Sequence, residues 1–273
     1  MDDGRDDALE DFHCEPTSLL GATKPVWRAG RGPAVIVMAE MPGISPDVAR
    51  FARWVRDAGF TVYMPSLFGR DGAYPRADEG AAVLQRACIS AQFGALARGA
   101  SSPVTLWLRA LARLAHQACG GPGVGAIGMC FTGNFALSMM LEPAVLAPVL
   151  CQPSLPLGDL AGLQIADDEL AWVRGRLDRE RLSVRAYRFD GDRFCTAARF
   201  AAYAEALGPR FEPTVLPGEA ANPEPPPFFR DVVGCAHSVV TAHLVDREGH
   251  PTLAARDEIL GFFRLRLQPA EAT

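Results

Sequence analysis

The chain has no long apolar run, no basic leader and no excess of positive charge, and each absence removes a class of function. A transmembrane helix needs about 18 or more consecutive apolar residues, and none are present. The opening residues, Met1-Asp2-Asp3-Gly4-Arg5-Asp6-Asp7, are acidic and lack the basic and apolar parts of a signal peptide, which predicts a cytoplasmic protein that does not engage a membrane. Against 32 acidic residues stand 27 basic ones, and the resulting net charge of −5 gives no general attraction to nucleic acid. The seven cysteines contain no CxxC and no Cys/His pairing. An odd set of this kind builds neither a zinc site nor a disulfide framework, so no metal and no cofactor is implied.

What is present is an ordinary globular composition, 49% hydrophobic and 22% charged over 273 residues. That suits one large α/β domain over 21–273, preceded by an irregular segment over 1–20 that lies outside the core. Val26 to Arg28 and the continuous apolar run Ala34 to Ala39 read as strands. Ser45-Pro46-Asp47 caps a helix through Val55, and Phe60 to Met64 is the next strand. The pattern repeats with helices over 80–97 and 102–118, a strand at Val124 to Gly128, a helix at Phe131 to Leu141 and a strand at Leu146 to Cys151. Ser183 to Phe189 and Glu212 to Leu216 are further strands, Thr196 to Leu207 is a helix, and Pro251 to Leu267 closes the chain as one. Such alternation predicts a doubly wound, mostly parallel sheet with helices on both faces, and its chemistry at the carboxyl ends of the strands. Residues 217–236 are too rich in proline for a compact element and predict an irregular loop near the site.

One strand end stands out. In Gly128-Met129-Cys130-Phe131-Thr132-Gly133 an apolar strand breaks into Gly-x-Cys-x-x-Gly and resumes as a helical pattern. A side chain on so tight a turn projects from the backbone, small neighbours are needed around it, and the N–H groups of the following helix favour a thiolate. Cys130 is thus a candidate nucleophile, with buried small hydrophobe as the alternative. A cysteine nucleophile needs a base, and a histidine base needs a carboxylate to hold its tautomer. Asp190 and Asp192 follow the strand Ser183 to Phe189; His237, His243 and His250 follow the last strand. This is the order, nucleophile then acid then histidine, of the α/β-hydrolase fold. Strand alternation makes Asp190 continue the strand, while Asp192 lies past Gly191 in the turn where the acid belongs.

These segments resemble the dienelactone hydrolase family. Ala34 to Ile44 is similar to the family's first long strand, which ends in a glutamate before a short apolar-Gly turn. Ala58 to Arg70 resembles the next strand and its Pro-x-Leu loop, Gly128 to Gly133 the nucleophile elbow, and Phe189 to Phe194 the acid turn. The likeness runs from about residue 24 to the end and departs at Thr132, where the family commonly has glycine. It implies a hydrolase of small esters or lactones with Cys130 as nucleophile, Asp192 as acid and Glu40 as a thiol-activating residue contacting the resting thiol. The oxyanion hole would be the N–H groups of Met41 and Phe131. Gly234-Cys235-Ala236-His237 resembles the small-residue stretch that presents the family's histidine, which selects His237; His250, directly before the terminal helix, is the competitor. Arg70 and Arg193 are candidates to bind a substrate carboxylate, although most of the arginines are expected to be ordinary solvated charges. A second class of function is a hydrolase-fold protein without turnover that binds a small molecule or senses oxidants or electrophiles through Cys130. Oligomeric state has no signature in the sequence. Limited alkylation at neutral pH is expected to modify Cys130 before Cys88 and Cys151, which sit in apolar patterns; peptide mass mapping reads the order directly.

Overall fold

The computed structural model describes residues 4–90, 93 and 101–268. Two strands, β1 (His13–Leu19) and β2 (Ala22–Gly30), are followed by alternating elements: β3 (Ala34–Met38), α1 (Pro46–Asp57), β4 (Thr61–Pro65), α2 (Ala77–Ile89), α3 (Pro103–Cys119), β5 (Val124–Met129), α4 (Phe135–Ser138), β6 (Val145–Cys151), α5 (Asp167–Glu180), β7 (Val184–Phe189), α6 (Ala197–Leu207), β8 (Phe211–Leu216) and α7 (Pro251–Leu267). The strands form one sheet in the order β1-β2-β4-β3-β5-β6-β7-β8. Pairing is antiparallel at β1/β2 and β2/β4 and parallel at every other edge.

Strand alternation divides the core. In β3, Ala34, Ile36 and Met38 pack on one face with α3 and α4, whereas Val35 and Val37 pack on the other with α1 and α7. Both faces are covered, which is why β3 reads as an unbroken apolar run; full burial stabilises each large aliphatic side chain by about 1.5–3 kcal/mol. α1 is positioned by its own sequence: the Ser45 hydroxyl accepts the Val48 N–H at 3.2 Å, Pro46 occupies the first turn, and Val48, Phe51, Ala52 and Val55 form the buried face. The chain leaves β3 for β4 on one side and returns to β5 on the other. The loops after β3 and β5 therefore emerge side by side at the switch in strand order, where parallel sheets place their sites.

Four expectations need correction. The first 20 residues are not an irregular segment outside the core: His13–Leu19 is an edge strand, and Leu9 and Phe12 are buried. β1 pairs through its backbone while most of its side chains face solvent, so it lacks the apolar pattern that marks a strand. The helix α5 was not foreseen, because its 14 residues are mostly charged and only Val173, Arg176 and Leu177 are buried. The helix expected over 131–141 is instead a 3-10 turn (Cys130–Thr132), the four-residue α4 and a second 3-10 turn (Met139–Leu141). The loop over 217–236 is not irregular throughout, since it contains a 3-10 turn at Gly218–Ala220 and a π-helix at Phe228–Val233 whose Phe228 and Phe229 are buried. Of the helix expected over 80–97, residues 91, 92 and 94–97 lie outside the described residues.

The turn at Cys130 depends on its glycine neighbours. A Cβ on Gly128 would lie 2.1 Å from the Thr132 carbonyl oxygen, and one on Gly133 would lie 2.5 Å from Pro153 Cα. Both obstacles are backbone atoms and cannot swing away. Gly128→Ala is expected to destabilise the fold by about 2 kcal/mol or more in urea unfolding; an unchanged midpoint would show that the turn relaxes at no cost.

Candidate active site

Cys130 begins the 3-10 turn after β5 with a φ of 52°, the left-handed region that a non-glycine side chain seldom adopts. The strain lifts its side chain off the strand. Thr132 fixes this turn to the neighbouring strand: its fully buried hydroxyl accepts the Met129 N–H at 2.9 Å and faces the carbonyls of Met38 and Ala39, each at 3.1 Å. A glycine there could not make that tie. The end of β3, and with it Glu40 and Met41, is thereby held beside the Cys130 turn.

Asp192 lies past Gly191, in the turn after β7, and is buried. Its Oδ1 accepts the N–H groups of Phe194 at 2.8 Å and Cys195 at 3.0 Å, which leaves Oδ2 free to face His237. His237 Nδ1 lies 2.7 Å from that oxygen. A carboxylate can only accept, so Nδ1 carries the proton and Nε2 is turned the other way. On that side the ring meets the Cys130 thiol. Burial opposes the charged imidazolium, but the Asp192 carboxylate and the Cys130 sulfur outweigh it and hold the ring's pKa well above the usual histidine range. The structure thus brings the half-buried Cys130 together with the buried His237 and Asp192.

The neighbours of these residues have other duties. Asp190 accepts the Gly218 N–H at 2.7 Å and ties β7 to the segment after β8. His243 is buried, accepts the Ser238 N–H at 3.1 Å and is pushed down to about 3, first by burial and then by the charge of His237. It holds, as a neutral acceptor, the backbone immediately after His237. His250 caps α7, its Nδ1 accepting the Thr252 N–H at 3.4 Å. Arg193 donates to the carbonyls of Val233 and Gly234 at 3.0 and 2.9 Å, and Arg70 pairs with Asp6 at 2.8 Å. Arg176, Arg188 and Arg199 are buried and are exceptions to the expectation that most arginines are solvated.

Glu40 also departs from expectation. It is fully buried, and its carboxylate accepts Ser238 Oγ at 2.6 Å, Thr241 Oγ1, and Gln152 Nε2 at 3.2 Å. Its hydrogen-bond donors come from the histidine loop and the end of β6; the thiol is not among them. The hydroxyl that does lie at the thiol is Ser154, whose Oγ is 3.5 Å from Cys130 Sγ and 3.4 Å from His237 Nε2. Neither Gln152 nor Ser154 is an acid or a base, so a rule for titratable residues at strand ends passes over both. The rule that found Asp192 applies equally to Cys151-Gln152-Pro153-Ser154, which follows β6 beside the nucleophile strand.

Burial raises Glu40 to about 7, against the pull of the Ser238 and Thr241 hydroxyls and of His237. A carboxyl raised on folding keeps its proton in the folded chain while the unfolded chain ionises. Stability therefore falls as pH rises from the free carboxyl value of 4.5 to about 7 and levels off above it. Thermal unfolding of Glu40→Gln is expected to lack this fall, so that the difference in Tm from the parent changes between pH 5 and pH 7 and is constant from pH 8. Parallel profiles across the range would contradict the assignment.

Comparison with known proteins follows the same lines. A sequence model of the dienelactone hydrolase family matches residues 20–160. No curated protein matches the chain. Among solved structures, a candidate dienelactone hydrolase from Klebsiella pneumoniae is similar at 17% identity and a TM-score of 0.60, covering 92% of this chain and 98% of that one. A dienelactone hydrolase-like promiscuous phosphotriesterase from metagenomic libraries is 16% identical with a TM-score of 0.56, over 93% of this chain and 98% of its own. An esterase from Thermogutta terrifontis is 13% identical with a TM-score of 0.53, over 97% and 96%. These likenesses establish the α/β-hydrolase fold. No helix among the described residues is long and apolar enough to cross a membrane.

Proposed function

The chain belongs to the dienelactone hydrolase family, carboxylic ester hydrolases, and from that membership we propose that it cleaves small esters or lactones through Cys130, His237 and Asp192. The observation that carries this reading is the sequence from the buried Asp192 Oδ2 through the buried His237 ring to the half-buried Cys130 thiol, with the Ser154 hydroxyl 3.4 Å from His237 Nε2 and 3.5 Å from Cys130 Sγ. His237 Nε2 takes the thiol proton as Sγ attacks the ester carbonyl carbon. The carbonyl oxygen gathers negative charge, and the N–H groups of Met41 and Phe131 receive it as the oxyanion hole. The tetrahedral adduct collapses to a thioester, and the alkoxide leaves with the proton that His237 holds. Water then attacks the thioester carbon while His237 accepts its proton; collapse of the second adduct expels the thiolate and frees the acid. Asp192 keeps Nδ1 protonated and steadies the imidazolium throughout. In this role Glu40 acts at a distance, by anchoring Ser238 and Thr241 on either side of the residues that follow the base.

Cys130→Ala is expected to abolish hydrolysis of p-nitrophenyl esters and simple lactones, and iodoacetamide is expected to stop the parent protein. Asp192→Asn leaves the shape but turns the imidazole into the wrong tautomer, which should cost a factor on the order of 10³–10⁴ in kcat. Asp190→Asn should remain near the parent rate. Esterase activity surviving in Cys130→Ala, or loss in Asp190→Asn with Asp192→Asn intact, overturns the assignment.

A further inference from the structure

We infer, resting on the hydrolase reading above, that the acyl part of the substrate is uncharged and apolar and is bound in a cavity of about 240 Å³ lined by Phe131, the residue that follows Cys130. The cavity is walled by Phe93, Phe131, Leu155, Pro156 and Leu157, with Cys88 on α2 and the uncharged polar Gln164 also lining it. None of the described residues that line it carries a charge. Two of its walls are chain neighbours of groups at the thiol. Phe131 directly follows Cys130. Leu155 directly follows Ser154, whose hydroxyl lies 3.5 Å from Sγ and whose N–H donates to the Cys130 carbonyl at 3.0 Å. An acyl carbon bound to Sγ, with its oxygen toward the Phe131 N–H, has this space next to its remaining substituent.

Two of the walls are held by contacts from outside the cavity. The Phe131 ring is packed edge to face by Phe68, Phe93 and Phe135 at centroid distances of 5.9, 5.2 and 6.4 Å. The opposite wall is fixed by the buried Arg199 guanidinium, which donates to the carbonyls of Pro153 at 2.9 Å and Pro156 at 2.8 Å. A preformed apolar cavity selects by apolar area. A carboxylate placed in it would lose its hydration with no cation to replace it. Arginines do occur in a groove of about 500 Å³ that Pro42, Arg70, Arg76 and Arg86 line together with Glu79. An anionic acyl group would belong there instead, and the two placements separate by experiment.

The test is the kcat/KM of the full chain on p-nitrophenyl acetate, butyrate, hexanoate, benzoate and hydrogen succinate. Each added methylene from acetate to hexanoate is expected to raise kcat/KM about fourfold, the equivalent of about 0.8 kcal/mol per buried methylene. Benzoate should exceed acetate, and hydrogen succinate should not. Cys88→Trp, at an exposed helix position, intrudes into the cavity and is expected to lower the hexanoate-to-acetate ratio at least tenfold. Leu157→Asp should lower the same ratio by placing a charge at the wall, and it guards against misfolding of the first variant. Acetate as the fastest ester, ratios unmoved in both variants, or a preference for hydrogen succinate that Arg86→Ala removes would each overturn the apolar acyl site while leaving the hydrolase reading standing. No turnover of any ester, or turnover that survives in Cys130→Ala, overturns both.

Discussion

The contact on which the site depends is the hydrogen bond between the buried His237 ring and the buried Asp192 carboxylate. Neither group could be charged there alone, because a lone buried ion carries a desolvation penalty of several kcal/mol. Together they satisfy each other, and the structure around them keeps both in place. The amides of Phe194 and Cys195 hold Asp192 from behind; His243 accepts the Ser238 N–H and fixes the backbone after His237. His243 can do this only as a neutral ring, and burial keeps it so. One histidine is thus held charge-competent and its neighbour charge-incompetent by surroundings alone.

Buried arginines supply the second layer of support. Arg199 donates to the carbonyls of Pro153, Phe194, Pro156 and Asp159, and Arg176 to those of Met140, Glu142 and Pro143. These carbonyls belong to stretches with no regular ladder: the loop after β6, the turn after β7 and the fragmented end of the segment after Cys130. A chain that leaves regular structure inside the protein must find donors for its carbonyls, and a guanidinium offers five in one plane. The loop after β6 carries Ser154 and one wall of the apolar cavity. Arg199 therefore links packing remote from the thiol to the geometry beside it.

The parts of the fold that were legible in sequence are those where one local rule suffices. β3 and β5 are unbroken apolar runs because both faces are covered, α1 carries its cap and proline in its first turn, and α7 was read with both of its bounds. Glycines around Cys130 disclosed the elbow, since only a close backbone approach requires them. Strand alternation separated Asp192 from Asp190, and the structure puts those two in different contacts. What escaped depends on contacts distant in sequence. β1 is held by backbone pairing at an edge, α5 presents mostly charge, and Arg176 and Arg199 answer carbonyls as far as 33 to 46 residues away. The continuous helix expected after Cys130 was a misreading of period: the apolar residues from Phe135 to Met140 are buried together and so show no exposed face to set a helical repeat.

Glu40 shows how the same residue type at the same strand end can take a different part. With its oxygens occupied by Ser238, Thr241 and Gln152, it braces the histidine loop against β3 and β6, and the thiol is left with His237 and Ser154 as its polar neighbours. Ser154 has one proton and several acceptors within reach. The Gln152 carbonyl at 3.0 Å is nearer than Cys130 Sγ at 3.5 Å, so a neutral thiol leaves the hydroxyl on the carbonyl. A thiolate changes the balance, because a hydrogen bond to an anion is roughly twice as strong as one between neutral groups. In the proposed mechanism, when the proton moves from Sγ to His237 Nε2, the Ser154 hydroxyl needs only to rotate to meet the charge, with no movement of the backbone that Arg199 holds.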